Sequence, residues 1–294
     1  MRGTRVNALD DPRLGLFRDL RDRDLRAIHG AYIVESPRVV RRFLQASLDG
    51  AYEVEGVLLD EKHAEELQPL LEKLPADVPV YLAPLEMMIE ISGYRFHAGA
   101  LAIGRRPTFD RDLDALVACL PAHGPLTLLA TDGVSNMDNV GAIIRDAAAL
   151  GADGVVLGGG SSDPLLRKAI RVSMGRVFNV PWAICPHLPR ALEELRAVTA
   201  THVLALENLP QAHSIETYEW PERVVIVAGS EGHGIQKDIL EASDALIRIP
   251  GPDTDDIEEG PGGSDQRSLN VGVAAAIALY ARQCARAAAS NPRN

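Results

Sequence analysis

The stretch that decides the fold is Leu126-Thr-Leu-Leu-Ala-Thr-Asp-Gly-Val-Ser-Asn-Met-Asp-Asn139-Val-Gly-Ala-Ile-Ile-Arg145. It joins a short apolar run to a run with helical spacing through small and polar residues. The pattern recurs from Pro125 onward, and short continuous apolar strands between helices predict a mainly parallel sheet covered on both faces. The predicted strands are Leu126–Ala130, Gly154–Leu157, Val177–Val180, His202–Leu206, Val224–Ala228 and Leu246–Ile249. The predicted helices are Val140–Leu150, Pro164–Ser173, Leu188–Ala200, Ile235–Ala242 and Asn270–Ala289.

The first hundred residues predict a second, smaller α/β layer. Ser36-Pro37 is typical of a capping side chain followed by the first helical residue. Glycines, a proline and paired arginines between Gly93 and Pro107 indicate a junction. We therefore divide the chain into domains at 1–106 and 107–294. The smaller layer is predicted to contain strands at Ala31–Val34, Val54–Leu59 and Val78–Ala83, with helices from Pro37 to about Leu48 and at Ala64–Lys73 and Pro84–Ile91.

Composition limits the classes of protein that fit. The 294 residues are enough for two ordinary domains. The longest apolar run near the end, Val271 to Tyr280, is too short to span a bilayer, and no secretory signal follows the first arginines. Cys119, Cys185 and Cys284 show neither metal-ligand nor redox spacing. We expect a protein of the reducing cytoplasm with no metal and no membrane segment.

Charge gives a mixed indication. The net charge of −11 opposes a nucleic-acid partner, because phosphate binding needs Lys and Arg. The cations are nevertheless clustered, and much of the acidity lies elsewhere, in Asp253 to Glu259. Solvated helix faces would explain such runs equally well. The basic residues of the two clusters are Arg13, Arg18, Arg21, Arg23, Arg26, Arg38, Arg41 and Arg42, and then Arg167, Lys168, Arg171 and Arg176.

Three boundaries between a strand and a helix carry residues suited to a ligand site, at the edge where open α/β sheets bind ligands. Asn139 and Arg145 could hold a phosphate or a ribose hydroxyl, although a helix cap and a solvated arginine would also fit. Gly229-Ser-Glu-Gly-His-Gly234 is a tight turn whose Glu231 could meet Arg145 or a cationic ligand. The third stretch is Ser268-Leu-Asn-Val271.

Other chemistries fit poorly. Gly158-Gly-Gly160 lacks the spacing of a dinucleotide-binding fingerprint, and Asp163-Pro164 after it is better read as a helix start. His97, His187 and His233 have no partners at metal-ligand spacing. A Gly-x-Ser-x-Gly elbow is absent, which argues against a hydrolase.

Taken in order, the three stretches resemble the motifs of the SpoU/TrmH family of the knotted SPOUT methyltransferases. The first motif matches Asn139, Gly141 and Arg145. The third, Ile-Pro followed by Ser-Leu-Asn-Val before an alanine-rich helix, matches Ile249-Pro250 and Ser268 to Val271. The residues that match the second motif are Gly229, Glu231, Gly232 and Gly234. The likeness covers Pro125 to the C-terminus, and the first domain with its His97-Ala-Gly99 junction resembles the L30e-like RNA-binding domain that often precedes it.

The resemblance implies a trefoil-knot α/β domain that works as a homodimer. Knots are rare exceptions to the rule that chains do not thread their own loops. S-adenosyl-L-methionine would lie among the knotted loops, held largely by backbone groups of Leu206, Gly229, Ile249 and Leu269.

The implied reaction is methyl transfer to a ribose 2′-OH of rRNA or tRNA. Arg145 would be the catalytic arginine, sometimes described as a general base. Because a guanidinium in a protein stays protonated, binding the neighbouring phosphate and stabilising alkoxide charge is the safer role. Asn139 and Glu231 would orient Arg145, while Ser268 and Asn270 would shape the ribose site.

One segment departs from the family pattern. Gly251 to Arg267 inserts a Gly-, Pro- and acid-rich stretch where the family has a few residues, and it predicts a mobile loop. Either a surface insertion or a gating loop fits it.

Two other functions stay open: a non-catalytic RNA-binding or ribosome-assembly protein that kept the fold, and an α/β oxidoreductase.

Overall fold

A computed structural model of the chain describes residues 2–18, 30–93, 99–106, 112–251 and 269–290. The nine helices of this described part are α1 (Pro37–Leu48), α2 (Glu61–Leu71), α3 (Leu85–Ser92), α4 (Leu113–Val117), α5 (Met137–Leu150), α6 (Arg167–Val172), α7 (Leu188–Thr199), α8 (Lys237–Ala242) and α9 (Val271–Ser290). Its twelve strands are β1 (Thr4–Arg5), β2 (Ala31–Glu35), β3 (Glu53–Leu59), β4 (Val80–Leu82), β5 (Ala100–Arg105), β6 (Leu126–Asp132), β7 (Gly154–Gly158), β8 (Trp182–Cys185), β9 (His202–Leu206), β10 (His213–Ser214), β11 (Arg223–Gly229) and β12 (Ala245–Arg248).

The chain forms two compact units. The first is Met1–Phe109 with Asp163–Asn179, and the second is Asp110–Ser162 with Val180–Asn294. The predicted division after residue 106 does not anticipate that residues 163–179 group with the first unit. Phe178 explains this grouping, since its ring lies 5.0 Å from the rings of both Phe43 and Tyr52.

The first unit is built on one mixed sheet in the order β1–β4–β3–β5–β2. β1, β4 and β3 run parallel, whereas β5 is antiparallel to both β3 and β2. The predicted strands and helices of this layer are confirmed to within three residues at each end. β5 was not predicted and lies inside the segment interpreted as a junction.

The glycine content of residues 93–107 concealed β5. Ala100 to Ile103 are completely buried, so this run is a central strand despite its small residues. A Cβ on Gly104 would lie 2.3 Å from the ring of Tyr32, so the glycine is a packing requirement there. Ser36 also differs from the prediction: Pro37 is the first helical residue, but the Ser36 side chain makes no capping hydrogen bond.

The second unit contains seven parallel strands in the order β10–β12–β9–β11–β6–β7–β8. Alternate residues of β6 (Leu126, Leu128 and Ala130) share an apolar cluster with α4, α7 and α8. On the other face α5 packs against α9, and α9 packs against β9 and β11. The predicted mainly parallel sheet with helices on both faces is therefore confirmed.

Two local predictions between residues 163 and 180 were wrong. Residues 177–180 are not a strand, because Met174 and Gly175 adopt positive φ and turn the chain into a 3-10 helix at Arg176–Phe178. β8 follows instead, after Pro181. The helix expected from Pro164 begins only at Arg167, and Asp163 closes a turn by accepting a hydrogen bond from the Leu165 N–H.

Candidate active site

The glycine-rich turn after β11 lies at the carboxyl edge of the parallel sheet. Its ends are joined by a Gly234 N–H that donates to the Ser230 carbonyl at 2.9 Å. Gly234 has a φ of +65°, and a Cβ on Gly229 would lie 2.3 Å from the Gly234 carbonyl carbon. Glycine is therefore required at both positions for the chain to double back. The turn holds Glu231 and His233 in solvent.

Two acidic residues at the ends of the strands on either side of β11 anchor this turn. Asp132 at the end of β6 is 2% exposed, and its carboxylate accepts both the backbone and side-chain N–H groups of Gln236 at 2.8 Å. Glu207, just after β9, accepts the Ile235 N–H at 3.0 Å. Charge-assisted bonds of this kind are the stronger class of hydrogen bond. They fix the exit of the turn from both sides.

A hydrogen-bonded network joins the three stretches identified from the sequence. Asn139 in the first turn of α5 donates from Nδ2 to Glu231 Oε1 at 3.0 Å. Asn270 Nδ2 donates to Asn139 Oδ1 at 2.9 Å and to Glu231 Oε1 at 2.5 Å. The Val271 N–H approaches the same Glu231 oxygen at 3.4 Å. Side chains from three distant parts of the chain thus meet at one point.

Asn270 is fully used by this network. Its Oδ1 accepts the N–H groups of Gly272 and Val273 at 3.0 and 3.3 Å, so it caps the first turn of α9. Both of its amide hydrogens go to Asn139 and Glu231. Asn270 therefore caps α9 and also holds the first turn of that helix against the glycine-rich turn.

Arg145 lies beside this network and not within it. It is exposed on α5, six residues and about 9 Å along the helix axis from Asn139. Among the described residues its guanidinium makes no hydrogen bond or ion pair. Ala142, one turn earlier on the same side of α5, packs close to Gly272 at the start of α9. Next to Arg145, burial raises the pKa of Asp146, and the arginine charge partly opposes this shift.

Of the four residues expected at the cofactor, two end strands, one follows a strand and one precedes α9. Leu206 and Gly229 end the adjacent strands β9 and β11, and Ile249 follows β12 on the other side of β9. Leu269 precedes α9 and is 44% exposed. The hydrogen bonds among described residues leave the backbone groups of Ile249 and Leu269 without a partner.

The structure brings three of the nine predicted site residues into direct contact. Asn139, Glu231 and Asn270 are in direct contact, but the cap of α5 is Asn136, so Asn139 is not the ordinary helix cap considered as an alternative. Neither Asn139 nor Glu231 bonds to Arg145, so their effect on Arg145 stays a prediction. Ser268, His97 and the insertion after Gly251 lie outside the described residues.

Sequence reasoning missed Asp132, Glu207 and Gln236. An acidic residue directly after an apolar strand was the available signal, since a carboxylate there must find donors when it is buried. In the described residues no group of three or more His, Cys, Asp or Glu side chains could hold a metal ion. Within the same residues no helix is long and apolar enough to cross a membrane.

Comparison with known proteins identifies the family. The model of the SpoU rRNA methylase family matches residues 127–280. An uncharacterized tRNA/rRNA methyltransferase of Mycobacterium tuberculosis is 34% identical over 284 residues, covering 93% of this chain and 89% of that protein. The 23S rRNA (guanosine-2′-O-)-methyltransferase RlmB of Acinetobacter baylyi is 31% identical over 219 residues, covering 74% of this chain and 83% of RlmB.

Solved structures show the same fold. The AdoMet-bound rRNA methyltransferase of Sinorhizobium meliloti matches with a TM-score of 0.74 at 23% identity, covering 97% of each chain. The SpoU methyltransferase AviRb of Streptomyces viridochromogenes matches with a TM-score of 0.73 at 20% identity, covering 95% of this chain and 99% of AviRb. The chain belongs to the SpoU rRNA methylase family.

Proposed function

We propose that this protein transfers a methyl group from S-adenosyl-L-methionine to a ribose 2′-OH of rRNA or tRNA. The observation that carries the proposal is the Asn139–Glu231–Asn270 network, which assembles three family motifs at the carboxyl edge of the parallel sheet. The names of the relatives support it, since one is a 23S rRNA guanosine-2′-O-methyltransferase and another a tRNA/rRNA methyltransferase.

The cofactor fits the sheet edge at Leu206, Gly229, Ile249 and Leu269. Among the described residues, the half-buried Ile249 and the exposed Leu269 have backbone donors and acceptors without a partner at this edge, as an adenine ring or an amino-acid moiety would require. Bound there, S-adenosyl-L-methionine supplies an electrophilic methyl group on its sulfonium. An AdoMet-bound protein with the same fold is consistent with this placement.

Arg145 is proposed to act on the RNA. Its exposed guanidinium has no partner among the described residues and is free to pair with the phosphate beside the reacting ribose. There it would hold the 2′-oxygen in line and stabilise negative charge as the hydroxyl proton leaves. A guanidinium stays protonated in proteins, so we assign the proton to another acceptor, such as water.

The network of Asn139, Glu231 and Asn270 would hold the elements of the site in fixed positions between turnovers. Glu231 and Asn139 tie the glycine-rich turn to α5, and Asn270 ties both to the start of α9. Ser268, which directly precedes Leu269 in the sequence, is proposed to line the ribose site with Asn270. The trefoil knot expected in this region, like the assignment of residues 1–106 as an L30e-like RNA-binding domain, stays a prediction.

A homodimer is proposed from the outer face of α9. Val273 and Tyr280 are 49% and 60% exposed, and Ile277 lies between them at helical spacing. Leu269, just before the start of α9, is exposed as well. A second copy of the chain would cover the stripe and place the site at the interface.

We expect the enzyme to act in the cytoplasm, where its RNA substrates are made.

The experiment that tests this function compares the wild-type protein with Arg145→Ala. Methyl transfer from radiolabelled S-adenosyl-L-methionine to rRNA and tRNA transcripts should fall by about 100- to 1000-fold, the effect of removing one electrostatic stabiliser. Binding of the cofactor, measured by calorimetry, should stay within a few-fold of wild type. Arg190→Ala, a comparable change at an exposed arginine of α7, is the matched control and should retain activity.

Two results would contradict the proposal. Full turnover by Arg145→Ala would remove the arginine from the mechanism. A wild-type protein that binds RNA but neither binds the cofactor nor methylates any transcript would instead be the non-catalytic RNA-binding protein considered above.

A further inference from the structure

A group of cations in the first unit stands out against the acidic balance of the chain. α1 contributes Arg38, Arg41 and Arg42, α6 contributes Arg167, Lys168 and Arg171, and the 3-10 helix at 176–178 contributes Arg176. These three elements carry three, three and one cations, seven in all, and none of them contains a carboxylate. The whole chain has a net charge of −11, so the concentration of positive charge is local.

The cations of α1 lie on one side of the helix. Val39, Val40, Phe43 and Leu44 are buried, and they define the inner face. Residues 38, 41 and 42 are related by three- and four-residue steps, so their side chains share the outer face.

The segment at 163–179 brings its own cations to α1. Arg42 donates to the Met174 carbonyl, and a Cβ on Gly175 would contact Val39 and the Arg42 side chain. Arg171 pairs with Glu35, the last residue of β2, at 3.3 Å. These contacts lie within the first unit and place the two basic segments side by side.

Within the described part of the chain, two carboxylates that lie near these cations by contact or in the sequence are almost fully buried. Glu35 and Asp163 have side chains only 8% exposed, and both are already paired, with Arg171 and Arg106. Glu66, whose carbonyl accepts a hydrogen bond from Arg41, is an exposed acid at the border. Arg38 and Arg176 make no side-chain hydrogen bond or ion pair with the rest of the described chain, which leaves them available to a ligand.

We propose that α1 and residues 167–176 form a composite basic surface that binds the phosphate backbone of the substrate RNA. The inference rests on the proposed function, and it adds a surface that binds the RNA away from the reacting ribose. Arginine suits this task because its planar fork pairs with phosphate oxygens in a bidentate manner. Contacts to phosphates position a nucleic acid without reading its sequence, so this surface would supply affinity and leave target choice to other residues.

The test uses the full-length protein and the double variant Arg38→Gln/Arg176→Gln, one change in each basic segment. The matched control is Arg190→Gln/Lys237→Gln, which removes the same charge from exposed positions of α7 and α8. Binding of a short fluorescein-labelled RNA hairpin is measured across a salt series, and methylation of 23S rRNA and tRNA transcripts is measured in parallel. Cofactor binding and thermal unfolding of all three proteins report whether the fold is kept.

We expect the slope of the logarithm of the RNA association constant against the logarithm of the salt concentration to become shallower by about 1.4 to 1.8. Two phosphate contacts are lost, and each contributes about 0.7 to 0.9 to this slope. The KM for the transcript should rise while kcat stays near wild type, and the control should change neither. An unchanged slope in the first variant, or an equal change in the control, would overturn the proposal.

A competition arm separates RNA from an acidic protein as the partner. Polyuridine should displace the hairpin far better than polyglutamate of equal charge, and equal displacement would overturn the assignment to RNA. The binding arm decides the surface by itself: failure of the wild-type protein to methylate any transcript would refute the proposed function, whereas an unaltered salt slope would refute only the surface.

Discussion

Replacing Asn270 with Asp tests whether the network fixes the start of α9. Asp caps helices about as well as Asn or Ser, so capping alone predicts almost no change. The structure predicts a different outcome, because the new carboxylate oxygen would replace an amide nitrogen that lies 2.5 Å from Glu231 Oε1. The variant therefore loses two donors and places two negative charges in contact.

The size of the effect follows from these contacts. Two unit charges about 3 Å apart repel by about 1.4 kcal/mol when water dominates the dielectric, as it does around the exposed Glu231 and Asn270. Loss of the charge-assisted bond to Glu231 adds about 1.5 kcal/mol, the low end for bonds to charged groups, and loss of the bond to Asn139 adds at most about 1 kcal/mol. We expect the first turn of α9 to lose about 3 to 4 kcal/mol of local stability.

Asn270→Ser is the matched control, since it keeps a capping oxygen, lacks the amide donors and adds no charge. It should cost only the lost hydrogen bonds, leaving Asp the worse substitution by about 1.4 kcal/mol, or tenfold in an opening equilibrium. Hydrogen–deuterium exchange at the Ala274 amide, which donates to the Asn270 carbonyl at 2.9 Å, reads this difference directly. In a Glu231→Gln background the difference between Asp and Ser should largely disappear.

Two results would refute the reasoning. Equal or stronger protection in Asn270→Asp than in Asn270→Ser would mean that Glu231 does not face this side chain. A difference that persists unchanged after Glu231→Gln would assign the effect to the helix cap alone.

Two further predictions follow from buried groups. Asp132→Asn should lower the free energy of unfolding by about 2 kcal/mol, because the two donors of Gln236 go to different carboxylate oxygens and Asn replaces one of these with an NH2 donor; an unchanged urea midpoint would contradict this. Burial, together with nearby carboxylates, raises the pKa of the Cys185 thiol to about 11, so the thiolate is scarce at neutral pH. A thiol reagent should therefore label the exposed Cys119 in the native protein and reach Cys185 only after unfolding, and equal labelling of these two thiols in the native state would contradict the packing around β8.

The parallel sheet could be predicted because its strands are short apolar runs with clear boundaries, as β6 and β11 illustrate. β5 could not, since Ala100 to Gly104 owe their burial to neighbours such as Tyr32 and carry weak strand preferences of their own. The strand predicted at 177–180 failed for the opposite reason. Its valines favour a strand, but the positive φ at Met174 and Gly175 and the packing of Phe178 on the first unit override that preference.

The candidate site could be located from its residue types, whereas the hydrogen-bond partners within it could not be predicted. Order and spacing brought Asn139, Glu231 and Asn270 into one hypothesis, and the structure shows them in contact. Which of them bonds to which depends on tertiary distances that a sequence does not carry. The sequence predicts that Glu231 can meet Arg145 or a cationic ligand, and the structure adds that Glu231 Oε1 accepts from the amides of Asn139 and Asn270.

The central claim is methylation of a ribose hydroxyl, and the most direct measurement identifies the methylated product. Transcripts of 23S rRNA and tRNA are incubated with the wild-type protein and methyl-labelled S-adenosyl-L-methionine, digested to nucleosides and separated by mass spectrometry. The account predicts label only in 2′-O-methyl nucleosides, and about 100- to 1000-fold less of it with Arg145→Ala. Label on a base, or product formation that does not depend on Arg145, would contradict it.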